Sequence, residues 1–180
     1  MDSERRIRNI ALIGFMGVGK SSVGRLVAAE LGFTFVDTDA WIESEVGRPV
    51  SRIFAEEGEA RFRAYERRTV LALARRERVV AATGGGLVAH GDNLARLRAH
   101  ALTVCLWASP EVIWERVRHQ SHRPLLQAPD PLERIRELLA QRESFYRQAD
   151  VLVNTERRTV REVAHQVTAH FRSVRNRESA

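Results

Sequence analysis

The sequence predicts an α/β fold in which helices cover both faces of a parallel β-sheet, the three-layer arrangement of a single domain. One observation is a set of short apolar runs of strand length, which lie at residues 10–13, 33–36, 79–82, 102–107 and 151–153. Another is that helical patterns separate these runs. A third is the length, because 180 residues fit one domain with a buried core, placed here at about residues 9–172.

Helical patterns fill the segments between the predicted strands. They cover residues 21–31, 52–75 (as one helix or two), 92–99, 110–118, 132–147 and 159–171. In the last segment, Val163, Val167 and Phe171 follow the 3.6-residue period of a one-sided amphipathic helix. Residues 118–131 differ, because they are polar, contain three prolines and show little periodicity. They predict a mobile loop inserted between two helices.

The charge pattern argues against a nucleic-acid binder. Lysine and arginine together number 29 and the acidic residues 23, so the net charge is +6. The arginines are spread along the whole chain with acids between most of them, and a clustered basic stripe is missing. A positive field instead favours a polyanionic substrate such as ATP. The sequence therefore predicts no nucleic-acid partner.

The apolar pattern and the cysteine content predict a compartment. No stretch approaches the roughly 20 apolar residues that span a membrane, and the charged residues 1–8 have no apolar segment behind them. Cys105, the single cysteine, cannot form an intramolecular disulfide and lies in an apolar run, so we expect it in the core. These features predict a cytoplasmic protein without a membrane partner, and we expect a monomer.

A phosphate-binding loop follows the first predicted strand. Residues 14–21, GFMGVGKS, match the pattern G-x-x-x-x-G-K-[ST] between a strand and a helix, which is the context that the motif requires. The glycines allow successive N–H groups to point at one anion beside a helix N-terminus. Lys20, the only lysine, can reach the β- and γ-phosphates of ATP, and the Ser21 hydroxyl is placed to ligate Mg²⁺. The predicted nucleotide contacts here are Gly17, Val18, Gly19, Lys20, Ser21 and Ser22. A glycine-rich turn that caps the helix without a ligand is the alternative.

Two further segments carry residue types that suit a substrate site. Asp37 and Asp39 lie two residues apart at the predicted end of a strand, so both can point to one side, where they suit Mg²⁺ and a substrate hydroxyl. An Asx-turn that ends the strand is the alternative. Residues 84–86, three successive glycines, lose more backbone entropy than a plain turn requires, which favours close approach of the backbone to a ligand. A plain strand-to-helix turn remains the alternative.

Together with other motifs, these residues resemble the shikimate kinases over residues 10 to 171. The residues that carry the resemblance, in the order and spacing of the family, are 14–21, 37–39 (DTD), 58–63 (GEARFR), Glu66, 84–86 (GGG), 123–126 (RPLL), Arg142 and Tyr146. The resemblance implies the fold of the nucleoside monophosphate kinases, with a five-stranded parallel sheet in the order 2-3-1-4-5. It also implies Mg²⁺-dependent transfer of the γ-phosphoryl group of ATP to the 3-hydroxyl of shikimate.

The resemblance assigns the reacting end of the site to the phosphate-binding loop and the paired acids. Lys20, Asp39 and Arg123 are the catalytic residues that it implies. The two metal residues that it implies are Asp37 and Ser21. Asp37 would hold a water molecule that is bound to Mg²⁺, and the Ser21 hydroxyl would be a ligand of the same Mg²⁺. Asp39 binds the attacking hydroxyl and orients it or takes its proton.

The resemblance assigns the shikimate carboxylate to two arginines. Arg63 and Arg142 would bind it, since the planar fork of arginine suits a carboxylate. Glu66 would orient Arg63 from the same helix face. Gly85 and Gly86 would contact shikimate through the backbone.

The resemblance places the remaining nucleotide contacts outside the phosphate-binding loop. The polar loop at residues 118–131 is the lid, and its Arg123 reaches the phosphates on closure. Arg116 matches an arginine that stacks on adenine. The adenine loop corresponds to residues 154–158, including Arg158. Many members have a proline just after that loop, where this chain has Thr159.

Two other function classes stay open at this point. One is another small-molecule kinase of the same fold, such as a gluconate kinase or a nucleoside monophosphate kinase. The glycine triplet and the pair of Arg63 and Arg142 argue against it. The other is a catalytically silent relative that senses a ligand, against which stands the retention of Lys20, Asp39 and Arg123.

Overall fold

The computed structural model describes residues 5–119 and 129–178, in which strands alternate with helices. The strands are β1 (Asn9–Ile13), β2 (Thr34–Asp37), β3 (Val79–Ala82), β4 (Ala101–Trp107) and β5 (Val151–Asn154). The helices are α1 (Lys20–Leu31), α2 (Thr38–Val46), α3 (Val50–Leu73), α4 (Asn93–His100), α5 (Pro110–Val117), α6 (Pro131–Tyr146) and α7 (Val160–Glu178). A 3-10 turn spans Leu87–Ala89.

The strands form one parallel sheet in the order β2-β3-β1-β4-β5. This order confirms the fold that the resemblance implies. Every residue of β1 and β3 is buried, as expected for central parallel strands that are covered on both faces. Because β1 lies between β3 and β4, the segments that follow β1 and β3 meet at the carboxyl edge of the sheet. That edge carries the candidate site.

The hydrophobic core lies between the sheet and the helices. Helix α1 contacts α7, α4 packs against β4, and α5 contacts α6. Cys105 is 1% exposed, which confirms its predicted place in the core. None of the helices within the described ranges is long and apolar enough to cross a membrane.

Two elements differ from the sequence prediction, α2 and α7, and in a third, α3, the structure decides between one helix and two. Helix α2 was not predicted, because it buries only Thr38 and Ile42 and so has a weak apolar period. Helix α3 is broken at Gly58, whose φ of 81° and ψ of 168° lie outside the helical region. Helix α7 continues past residue 171 to Glu178.

At the amino edge of the sheet, Asp150 ties the last strand to its neighbour. Its Oδ2 accepts hydrogen bonds from the backbone N–H of Thr103 at 2.8 Å and from its hydroxyl at 2.7 Å. The guanidinium of Arg5 donates to both carboxylate oxygens, at 2.7 and 2.6 Å. These bonds hold the pKa of Asp150 below its usual range, although burial opposes them.

Candidate active site

The phosphate-binding loop connects β1 to α1 in the conformation that its glycines allow. Gly14, Gly17 and Gly19 have φ values of 128°, 76° and 92°, all in the region that favours glycine. At Gly14 the constraint is also steric, because a Cβ atom would lie 2.2 Å from the carbonyl oxygen of Leu106. The loop therefore packs closely against β4, and its backbone N–H groups come just before the N-terminus of α1 in the chain.

Lys20 and Ser21 begin α1 with their side chains in the site. The Lys20 Nζ donates to the carbonyl oxygens of Gly14 at 2.8 Å and Phe15 at 2.6 Å, so the ammonium group lies over the loop. The Ser21 hydroxyl donates to Oδ2 of Asp37 at 2.9 Å. A hydroxyl and a carboxylate therefore lie side by side at the start of the helix.

Asp37 and Asp39 have different local roles. Asp37 ends β2 and caps α2, since its Oδ1 accepts from the N–H groups of Asp39 at 3.1 Å and Ala40 at 3.3 Å. The Asx-type turn considered for this segment is thus present together with the contact to Ser21. Asp39 lies in the first turn of α2, so strand alternation is not what places both acids at the site.

The Asp39 carboxyl is buried and incompletely hydrogen-bonded. Its Oδ1 has no hydrogen-bond partner among the described residues. Burial raises the pKa of Asp39, the negative charge of Asp37 raises it further, and the charge of Lys20 opposes the shift. The Oδ1 atom lies 2.6 Å from the position of a Cβ built on Gly84, so a side chain at Gly84 would collide with it.

Arg63 and Arg142 converge on the glycine segment after β3. A Cβ built on Gly86 would lie 3.2 Å from Nη1 and 3.3 Å from Nη2 of Arg63, and 3.6 Å from Nη2 of Arg142. Arg63 donates through Nη1 to Glu66 at 2.8 Å, and the Glu66 side chain is 1% exposed. Burial raises the pKa of Glu66, while the hydrogen bond and charge of Arg63 oppose that shift.

Two residues that fix the glycine segment were given no functional role from the sequence, although both lie in the motifs that carry the resemblance. The Thr38 hydroxyl accepts from the N–H of Gly84 at 3.0 Å, and the Tyr146 hydroxyl donates to the carbonyl oxygen of Gly85 at 2.7 Å. Burial raises the pKa of Tyr146 to about 12, so the phenol stays protonated as a donor. Thr38 lies between the two aspartates, but no sequence signal indicates its distant partner.

The phosphate-binding loop and the paired acids line one cavity of about 370 Å³. Its lining residues are Met16, Gly17, Gly19, Lys20, Ser21, Ser22, Asp37, Asp39, Thr83, Gly84, Gly85 and Arg116. Val18 is 1% exposed and packs into the core, which leaves only its backbone for a nucleotide contact.

The residues predicted to contact adenine lie on the side of the fold formed by α5 and the segment after β5. Arg116 donates to the carbonyl oxygen of Gly17 at 3.3 Å, and to the hydroxyl and carbonyl oxygens of Thr155 at 2.9 and 2.8 Å. It therefore connects the phosphate-binding loop with the 154–158 segment. Arg158 donates to Gln166 and lines a separate surface depression. Arg123 and most of the predicted lid lie outside the described residues.

A comparison with protein families decides among the kinases of this fold. The model of the family described as shikimate kinase matches residues 16–172. The chain belongs to the shikimate kinase family. A shikimate kinase of Thermodesulfovibrio yellowstonii is 45% identical over 170 residues, which cover 94% of this chain and 98% of that protein.

Solved structures agree with the family. The shikimate kinase from Acinetobacter baumannii in complex with shikimate has a TM-score of 0.88 and 35% identity, over 94% of this chain and 95% of that one. A gluconokinase from Sinorhizobium meliloti has a TM-score of 0.62 and 21% identity, over 94% of this chain and 95% of that one, which shows a shared fold alone. The predicted family and kinase activity, phosphoryl transfer from ATP to shikimate, are thereby confirmed.

Proposed function

We propose that this chain carries out Mg²⁺-dependent transfer of the γ-phosphoryl group of ATP to the 3-hydroxyl of shikimate, with the residue roles given below. The observation that carries the proposal is that three chemical groups line one sheet edge. They are a phosphate-binding loop, a buried carboxyl with a raised pKa at Asp39, and two arginines around Gly86.

The loop at residues 14–21 binds the phosphates of ATP through its backbone N–H groups and the N-terminus of α1. Lys20 moves its ammonium group from the carbonyls of Gly14 and Phe15 to the transferring phosphoryl group, where it stabilises negative charge. Both carbonyls are neutral acceptors, so the anionic phosphate competes well for the lysine.

Ser21 and Asp37 are the residues that would hold Mg²⁺. They fit the ion, because the structure places a hydroxyl and a carboxylate, both hard oxygen donors, 2.9 Å apart at the phosphate cavity. Few protein ligands are expected, since Mg²⁺ in such sites keeps waters and uses phosphate oxygens. When bound, Mg²⁺ neutralises charge on the β- and γ-phosphate oxygens.

Asp39 binds the attacking hydroxyl. Its Oδ1 is buried and has no hydrogen-bond partner within residues 5–119 and 129–178, and Asp39 lines the cavity, so it can accept the hydroxyl hydrogen bond in a place where water is largely excluded. The raised pKa makes its carboxylate a stronger base than an ordinary aspartate, and it takes the proton as the oxygen–phosphorus bond forms. Positioning of the hydroxyl contributes alongside proton transfer.

Arg63 and Arg142 bind the carboxylate of shikimate beside Gly85 and Gly86. Both guanidinium groups reach the same point near Gly86, so one carboxylate can contact both. This end of the site lies beyond the phosphate cavity, whose lining contains neither arginine.

The remaining roles rest on the family resemblance. Arg123 in the lid at about residues 118–131 stabilises the transferring phosphoryl group, and Arg116 and Arg158 contact the nucleotide. We also propose that the protein is a cytoplasmic monomer without a nucleic-acid or membrane partner.

A coupled ADP-release assay with shikimate, gluconate and AMP side by side tests the proposed function. We expect turnover with shikimate, its loss when EDTA removes the metal, and its recovery with added Mg²⁺. Faster turnover with gluconate or AMP would reassign the substrate. Shikimate binding without turnover at any metal concentration would instead favour a ligand sensor.

A further inference from the structure

A second carboxylate contacts Arg63 from the solvent side. Oε1 of Glu59 accepts from Nε of Arg63 at 3.1 Å and from Nη2 at 2.7 Å. The Glu59 side chain is 60% exposed, whereas the side chain of Glu66, the other partner of Arg63, is 1% exposed. Arg63 is therefore held between one surface acid and one buried acid.

A count of donors shows which part of Arg63 remains for a ligand. A guanidinium carries one N–H on Nε and two on each terminal nitrogen. Glu59 takes the Nε hydrogen and one on Nη2, and Glu66 takes one on Nη1. One hydrogen remains on each terminal nitrogen, and both of these nitrogens lie within 3.3 Å of the Cβ position at Gly86. The two acids thus leave one donor on each terminal nitrogen, on the side of Gly86, for the substrate.

The sequence places Glu59 for this contact through the break in α3. Gly58 interrupts the helix, so Glu59 begins its second part and Arg63 follows one turn later on the same face. Glu59 also lies 4.0 Å from Nε2 of His90, which follows the glycine segment. Arg63 holds the pKa of Glu59 below its usual range, with smaller contributions from His90 and Arg142, so this carboxylate stays charged as an acceptor.

We propose that Glu59 is a positioning residue for substrate recognition: it fixes the Nε edge of Arg63 so that the terminal nitrogens face the substrate carboxylate together with Arg142. The proposal rests on the proposed function, which places the shikimate carboxylate at these arginines. Glu66 alone bonds one nitrogen and leaves the Nε edge of the guanidinium without a hydrogen-bond partner that fixes it. A second contact at the opposite edge removes this freedom before the substrate arrives.

The inference predicts different effects for two substitutions of Glu59. Glu59→Ala removes the acceptor, and we expect the Kd of shikimate to rise about three- to tenfold, the effect of one hydrogen bond in net terms. Glu59→Gln keeps an acceptor oxygen without the charge, and we expect a Kd within about twofold of wild type. The kcat at saturating shikimate should change little in both, because the phosphoryl group is transferred at the other end of the substrate.

Isothermal titration without nucleotide gives the Kd, and steady-state kinetics give kcat and KM. Glu56→Ala is the matched control, because Glu56 is an exposed acid of α3 that pairs with Arg48 and Arg52 instead. A neutral analogue, with a hydroxymethyl group in place of the carboxylate of shikimate, should bind wild type and Glu59→Ala equally weakly.

Arg63→Ala separates this inference from the proposed function. If Arg63→Ala does not weaken shikimate binding, the placement of the carboxylate is wrong. If it does, and Glu59→Ala binds shikimate as wild type does, Glu59 has no positioning role. Tighter shikimate binding in both Glu59 variants would show that Glu59 competes with the substrate for Arg63. If Glu59→Ala loses as much affinity for the neutral analogue as for shikimate, the role of Glu59 is structural. Each of these results overturns the proposal.

Discussion

Two aspartates at opposite edges of the same sheet show how hydrogen bonding separates a structural acid from the acid that we propose takes part in the reaction. Asp150, at the amino edge, accepts from Arg5 and from both the backbone and the hydroxyl of Thr103, and its pKa is lowered. Asp39, at the carboxyl edge, has a buried Oδ1 that finds no hydrogen-bond partner in the part of the chain that the structure describes, and its pKa is raised. The fold stabilises the charge of one aspartate and destabilises the charge of the other.

The arginines show the same contrast. Arg5 is paired with Asp150 and so serves the fold. Arg142 forms no ion pair with the described part of the chain, and its guanidinium lies over the ring of Phe15 near Gly85 and Gly86. A cation that is held near a cavity without an acidic partner is available to an anionic ligand.

The largest expected effect is on Asp39. Asp39→Asn should lower kcat by about 100-fold or more, the usual size for a lost base. The same substitution should preserve or increase the free energy of unfolding, because it removes a buried charge whose ionisation the fold opposes. Steady-state kinetics at saturating shikimate and urea denaturation measure the two effects.

The pH dependence gives a second readout for Asp39. Because the pKa of Asp39 is raised, the acid limb of the wild-type profile of kcat/KM against pH should have an apparent pKa above the usual range of an aspartate. An unchanged kcat in Asp39→Asn would remove this residue from the chemistry.

Arg142 is expected to have the next largest effect. Arg142→Ala should weaken shikimate binding about ten- to a hundredfold, the contribution of a charge-assisted contact to a carboxylate. The Kd of ATP, measured without shikimate, should stay near the wild-type value. Arg147→Ala is a control just after the end of the same helix, since Arg147 is exposed and pairs with Glu143. Equal losses for ATP and shikimate would place Arg142 in a shared site.

Asp150 should affect stability and leave activity unchanged. Asp150→Asn loses the charged partner of Arg5, and we expect the free energy of unfolding to fall by about 1.5–3 kcal/mol. Because the Asp150 pKa is depressed, its contribution is present above the unfolded pKa and is lost as the pH falls through the folded pKa. A large fall in kcat with unchanged stability would contradict the assignment of a structural role to the amino edge of the sheet and of the reaction to its carboxyl edge.

The smallest expected effect is on His100, also at the amino edge. The Asn9 side-chain amide donates to Nδ1 of His100 at 3.1 Å, which leaves Nε2 as the protonated nitrogen, buried without a partner among the described residues. Burial lowers the His100 pKa, so the unfolded state binds the proton more readily.

Stability should therefore fall as the pH drops below about 6.5, the unfolded pKa of histidine, by at most about 1.4 kcal/mol per pH unit. Urea denaturation between pH 7 and 5 gives the free energy of unfolding at each pH. This free energy should fall less steeply with decreasing pH in His100→Gln than in wild type. Equal slopes would show that His100 does not titrate differently on folding.

Much of the fold was predictable because its signals are local. The runs at residues 10–13 and 79–82 became β1 and β3 almost to the residue, since central parallel strands are apolar throughout. Helix α2 was missed because its period is weak and its start depends on the capping side chain of Asp37. The acids at 37 and 39 were found, but the argument from strand alternation was wrong, since a helix begins between them.

By itself, the sequence determined the phosphate-binding loop, since glycine spacing and one lysine are local features, and the family, since its motifs keep their order along the chain. Only the tertiary structure decided which arginines converge on Gly86, and which side chains hold the glycine segment in place. Those contacts join residues far apart in the chain, as between Thr38 and Gly84 or Tyr146 and Gly85. The tertiary structure also decided that the charged form of Asp39 is destabilised and that of Asp150 is stabilised. Burial and hydrogen-bond partners set the pKa of a carboxyl group, and the residue type determines neither of them.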